Sequence, residues 1–464
     1  MMKTKKLLSF LLATTLTLPL FGACGGGNNS TTSQGGDTGN SGEGSTTVDI
    51  NVDKNIEAEL SILIPGGNKN EQTMIDCLIE DFTEEYPNVS ISKSYVTISS
   101  YESTVRSLAA AGTLDDIIWS NSPDFYYLVS KGYVENLNPY IAASEEAGEF
   151  DVSEDFYEEF FESGSLNGNL YCVPRSADSV VTFLNTEILQ AAGVDMTKVV
   201  NGWSWDDFLD VCAQVRTYMD GHGMSNCYVI DANLTSWLSV CYPLLVSYGA
   251  DVLDENGKVV LDSEETRRCI EMVREMVKNR YICDSTVSSG SSFESGTSAM
   301  LFQSASVSLF ANRMTLKGKM DIVSFPLVQD NSTPKIGSGI AGYCIKKDSP
   351  NKALCYKFLT YMLSYEGQQR MGENGLNLAS IRKDLSDYTV ANWGKGFESL
   401  NLSAYLYGSE YKIDSKFLSR ADVGAKSDIT VAITDLFTNV CNPEKALDTC
   451  LETALEDLED ALDI

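Results

Sequence analysis

One histidine, His222, stands in a chain of 464 residues, and its isolation limits the chemistry open to the protein. Catalytic triads and His-rich metal sites both need imidazoles that a fold can bring together with partners. His222 sits in Asp220-Gly221-His222-Gly223, where the neighbouring residues favour a surface turn. The 12 cysteines include no CxxC pair. Cys77, Cys212 and Cys269 lie among apolar residues at helical spacing, so a zinc cluster is not expected. Carboxylates are abundant, and adjacent ones such as Asp115-Asp116 and Glu154-Asp155 are easy to find among 65 acids. Glycoside hydrolysis needs two carboxyls facing each other across a cleft, about 5–10 Å apart, which adjacency along the chain does not supply. There is no Gly-x-Ser-x-Gly elbow, no HExxH and no phosphate loop. No catalytic residue, metal or cofactor is therefore expected.

The 34 Lys and Arg against 65 Asp and Glu give a net charge of −31, with 43% hydrophobic residues. A surface this acidic repels phosphate backbones and anionic lipid, which argues against unaided binding to nucleic acid or bare membrane. Length exceeds the roughly 250–300 residues at which one core stops growing, so two lobes are expected. Lys3, Lys5 and Lys6 precede an apolar run from Leu7 to Phe21 that closes on Gly22-Ala23-Cys24. That order reads as a secretory signal, too short to span a bilayer. Cleavage before Cys24 removes three lysines and takes the charge from −31 to −34. The ending resembles a bacterial lipoprotein box with Cys24 as the lipidated N-terminus. Phe21 stands where that pattern has Leu, so ordinary cleavage leaving an unmodified Cys24 also stays open. Residues 25–47 are almost entirely Gly, Ser, Thr, Asn and Gln, a flexible tether. The other cysteines read as buried thiols, which suits an exported protein of an anaerobic habitat, with one or two unassigned disulfides left open.

The elements that would position a site come next. Glu59–Ile64 reads as a strand, followed by a helix on Met74, Leu78, Phe82 and Tyr86 that Pro87 stops. A strand at 89–96, a helix at 101–111 with Gly112 as its cap, and a strand at Asp116–Trp119 follow, then a helix from Asn121 or Ser122 to Gly132. Alternating strands and helices predict an α/β lobe with a largely parallel sheet, whose ligands gather at the carboxyl ends of its strands. The loops 65–69 and 119–124 therefore point at the site. Further on, Ser204 reads as an N-cap, 251–261 as a hairpin, 262–277 as a helix, and Asn442-Pro443 as the cap of a helix striped by Leu447, Leu451, Leu455, Leu458 and Leu462.

Several fragments share an order. They are Phe82-Thr83-Glu84-Glu85-Tyr86-Pro87, Ala109-Ala110-Ala111-Gly112 with Asp115 to Trp119, Lys131-Gly132-Tyr133-Val134, Gly168-Asn169-Leu170-Tyr171 with Leu184-Asn185, Trp203-Ser204-Trp205, Ser295-Gly296-Thr297-Ser298-Ala299-Met300, and 337–345 before Ser349-Pro350-Asn351-Lys352-Ala353. This series resembles the extracellular solute-binding proteins of bacterial ABC importers, in particular the sugar binders related to maltose- and glycerol-phosphate-binding proteins.

The resemblance implies an α/β, two-lobed, periplasmic-binding-protein-like (type II) fold. Residues 1–23 would be the lipoprotein signal, 24–57 the tether, 58–175 with 333–376 lobe one, and 177–332 with 377–464 lobe two. The chain would cross between lobes at Pro174–Asp178, near Phe325–Pro334 and after Gly375. It implies an anchored, monomeric binder that closes on a saccharide and hands it to permease subunits. A surface glycoside-degrading enzyme, or a binder of a peptide or polyamine, are the alternatives. By position, ligand groups fall on Asn68, on Trp119, Ser120 and Asn121, on Asp178, on Gln303 and Ser304, and on Gly339, with Trp237 and Tyr242 as stacking surfaces. Core packing is the competing role for Trp119 and Trp237, and a hinge-loop hydrogen bond for Asp178. Trp393 and Arg382 are spare candidates. Ser306 and the stretch near Ala425 stand where the family often carries aromatics.

Overall fold

The computed structural model describes residues 48–67, 69–177, 179–231, 238–286, 292–304, 315–329, 333–339, 341–374, 379–385, 397, 399–413, 417 and 425–463. Its strands are β1 (Ala58–Gly66), β2 (Val89–Thr97), β3 (Ile117–Asn121), a small hairpin of β4 (Ser165–Leu166) and β5 (Asn169–Leu170), β6 (Cys172–Pro174), β7 (Val181–Asn185), β8 (Met300–Gln303), β9 (Met320–Ser324), β10 (Ile336–Gly337), β11 (Ala341–Ile345) and β12 (Lys412–Ile413). Two sheets organise two lobes. The first runs β2-β1-β3-β11-β6, with β1 parallel to β2 and β3, and β11 antiparallel between β3 and β6. The second runs β8-β7-β9, antiparallel throughout.

Local sequence explains these elements. Ile62, Leu63 and Ile64 are consecutive and wholly buried, as a strand covered on both faces requires. Helix α1 (Lys69–Glu85) lays Met74, Leu78 and Phe82 against that sheet and ends before Pro87. Helix α2 (Tyr101–Ala111) closes on Gly112 in the left-handed region at φ 70°, whose N–H reaches the Ala109 carbonyl, the cap that glycine makes cheapest. Helix α3 (Ser122–Ser130) follows β3 directly. In the second lobe Ser204 and Asp207 form a reciprocal capping box at the start of the helix Trp205–Gly221. One expectation shifts: the C-terminal helix spans Leu447–Ala461 and begins after Ala446 rather than at Asn442-Pro443. The Asn442 side chain accepts from the Glu444 N–H instead, closing a separate turn ahead of the helix.

The segment 175–180 leads from β6 of the first sheet into β7 of the second. It travels in company. Arg175 N–H donates to Ala341 O, Ala177 N–H to Ala379 O and Val180 N–H to Gly337 O, while β10 pairs with β12 alongside. Upstream, Leu327 remains paired with the lobe-two segment Trp203–Trp205. Short backbone segments therefore carry the chain between the sheets.

Candidate ligand cleft

The carboxyl end of β3 brings Trp119, Ser120 and Asn121 opposite Tyr343, Gly342 and Ala341 of β11. Gly339, two residues ahead of β11, is half-buried beside them. In the second lobe Gln303 pairs with Val181 at the start of β7, and the Gln303 side chain accepts from the Ser304 N–H at 3.0 Å. The crossing segment draws the two sets together, because Ser179 is bridged to Ser338 next to Gly339. Asn121, Gln303, Ser304 and Gly339 are thus half-buried polar positions around one crossing. Asn68, Asp178 and Trp237 lie outside the described residues, as do Cys24, Ser306 and Trp393.

Two expected contact residues sit deeper than an open stacking surface would. Trp119 is 7% exposed and meets Tyr101 edge-on at 5.1 Å, and the Tyr101 hydroxyl donates to its carbonyl. Its indole N–H has no acceptor among the described residues. Tyr242 is 3% exposed, packs on Phe417 with ring centres 4.4 Å apart, and donates its hydroxyl to Asp251 Oδ1 at 3.1 Å. Ser120 is fully buried. Arg382 lies over the Phe156 ring and is fastened to Asp384 and the Leu363 carbonyl, well away from the polar positions just described. Ala425 is buried at the head of the helix Lys426–Val440.

The adjacent acids have structural work. Asp116 accepts from the Ser61 N–H and hydroxyl and from the Ser349 hydroxyl, at the amino end of β3 and therefore opposite the cleft. Burial raises the Asp115 carboxyl above the ordinary range. Asp155 accepts from the Asp151 N–H at the far side of lobe one. His222 is exposed at the end of the helix Trp205–Gly221, stacked on Tyr218.

Beneath the cleft lies a buried cluster that sequence reasoning missed. Glu71, in the first turn of α1, accepts from Arg175 Nε through both oxygens at 3.0 Å and from the Tyr343 hydroxyl at 2.7 Å. Glu71 is 2% and Arg175 7% exposed. Gln368 donates to the Arg175 carbonyl and accepts from the Ser380 hydroxyl. A chain of polar contacts thereby runs from the helix at the cleft rim through the first crossing to residue 380. Burial, reinforced by the Glu71 charge, pushes the Tyr343 phenol well above its ordinary value, so it stays a donor. Its one sequence signal was Arg175 beside Pro174. Glu71 gives no further signal, because an acid in the first turn of a helix is favoured by the helix dipole alone.

Two α/β lobes linked by narrow crossings, with polar groups gathered where the strands end, define a two-lobed solute-binding protein. The family of bacterial extracellular solute-binding proteins matches residues 78–396, more than half of the chain, and the chain belongs to that family. It is 23% identical over 321 residues to an arabinooligosaccharide-binding protein of Halalkalibacterium halodurans, covering 65% of this chain and 69% of that one. Among solved structures, the sugar-binding protein MalE of Xanthomonas citri superposes with a TM-score of 0.71 at 16% identity, covering 87% of this chain and 97% of that one. The substrate-binding protein Lmo0181 of Listeria monocytogenes, solved with cycloalternan, gives 0.69 at 16% identity over 88% and 100%. These structural likenesses carry the fold.

Proposed function

We propose that the chain is the substrate-binding lipoprotein of an ABC importer, capturing an extracellular oligosaccharide by hinge closure and delivering it to the permease. The observation that carries this reading is the convergence of half-buried polar positions from both sheets on one crossing segment. A ligand there touches both lobes only when they meet, so its binding free energy favours closure. The lobes divide at 58–175 with 333–376 and 177–332 with 377–464, and Asn68, Asn121, Asp178, Trp237, Gln303, Ser304 and Gly339 supply the contacts. Trp119, Ser120 and Tyr242 back the pocket wall from behind. Cys24 carries the anchor, the exported chain is a monomer, and it acts as a binder without catalysis.

Titration calorimetry against arabino- and malto-oligosaccharides tests this. A member of the panel binds with a heat that saturates, and chromatography of the mixture shows the sugar unchanged. Asp178→Ala and Gln303→Ala each weaken that binding at least tenfold at an unchanged melting temperature. Sugar cleaved in the cell would replace capture by hydrolysis. Binding of a peptide or polyamine with silence toward every sugar would move the ligand class.

A further inference from the structure

Two residues outside the polar set touch from elements of different lobes. Tyr126 lies on α3, which packs on α2 and β3 of the first lobe; Lys426 opens the helix Lys426–Val440, which packs on the helices Leu447–Ala461, Leu238–Ser247 and Glu264–Lys278 of the second. The Lys426 ammonium sits over the Tyr126 ring, 4.7 Å from its centre. Tyr126 is wholly buried and Lys426 is 8% exposed.

A lysine rarely takes this place for stability alone. It is the first residue of a 15-residue helix, so its charge lies at the positive end of the helix dipole, and the ammonium has lost most of its water. The electron-rich face of Tyr126 offsets part of both costs, and a desolvated cation over an aromatic ring is the strong form of that contact. The two residues belong to elements of different lobes, so parting of the lobes would separate them.

We propose that Lys426 and Tyr126 form a closure latch, a positioning pair that raises the population of closed protein before ligand arrives. This rests on the hinge-closing reading above. Since apparent affinity scales with the fraction of protein that is binding-competent, the latch tunes affinity without touching sugar.

Small-angle scattering of the exported chain without ligand gives the direct test. Lys426→Met enlarges the radius of gyration, while Lys426→Arg, which keeps a cation over the ring, restores the wild-type value. Tyr126→Phe matches wild type and Tyr126→Leu matches Lys426→Met, because the ring and not the hydroxyl holds the cation. With the oligosaccharide that the wild type binds, Lys426→Met and Tyr126→Leu weaken affinity roughly tenfold, and the double variant is no weaker than either single one. An unchanged radius for a well-folded Lys426→Met, or a Lys426→Arg as expanded as Lys426→Met, overturns the latch. Should Tyr126→Leu fail to fold, the two Lys426 variants decide the matter. The scattering needs no sugar, so a wild type silent toward every oligosaccharide refutes the capture reading and leaves the latch to be judged on its radius.

Discussion

At the scale of single residues, the Glu71–Arg175 pair is the most consequential feature under the cleft. Both groups are buried, and removing one member of such a pair leaves a dehydrated charge, at a cost of about 3–5 kcal/mol. Glu71→Gln is accordingly expected to lower stability by that order in urea unfolding, and Glu71→Gln/Arg175→Met, which removes both charges, to recover most of it. A single variant as stable as wild type would show that water reaches the pair. Motif order put Trp119 to Asn121 and Gln303 at strand ends, where the structure has them. Whether a ring there is open was not legible. Tyr242 and Trp119 look alike in sequence to an exposed platform, and only their packing on Phe417 and Tyr101 distinguishes them.

At the scale of elements, the crossings depend on close backbone approach. A Cβ on Gly337 would lie 1.8 Å from the Ser239 carbonyl oxygen and 2.8 Å from a Val180 methyl, and one on Gly342 would lie 2.1 Å from the Val173 carbonyl oxygen. Backbone cannot yield as a flexible side chain does, so overpacking here costs about 1–3 kcal/mol. Gly337→Ala is therefore predicted to lower the melting temperature and to speed amide exchange at Val180, whose N–H donates to Gly337 O. Exchange there as slow as in wild type would mean that the crossing absorbs the methyl by shifting as a unit. Many strands and helices of both lobes were readable because their periodicity and caps are local: Gly112, Ser204 and Pro87 each act within a turn. The order β2-β1-β3-β11-β6 was beyond the sequence, since β11 inserts between β3 and β6 from far along the chain.

At the scale of the whole molecule, many thiols share one electrostatic situation. Burial pushes Cys77 up to about 11, and Cys241 and Cys355 up to about 12, from an ordinary 9.0. Cys172, Cys212 and Cys269 move in the same direction for the same reason. The folded chain keeps these protons while the unfolded chain releases them above pH 9.0, so stability is full below that value and falls as pH rises toward 12. The urea midpoint should drop steeply as pH rises from about 9 toward 12; a midpoint that stays level across that range would mean the thiols ionise in place. Composition, charge, the α/β class and the family were determined by the sequence alone, because each rests on residue types, local periodicity or the order of short motifs. The tertiary structure decided which polar groups share the crossing, that Glu71 meets Arg175 about a hundred residues away, and that Lys426 lies on Tyr126. Those pairings join segments that no local pattern links; they arise only when distant parts of the chain fold together.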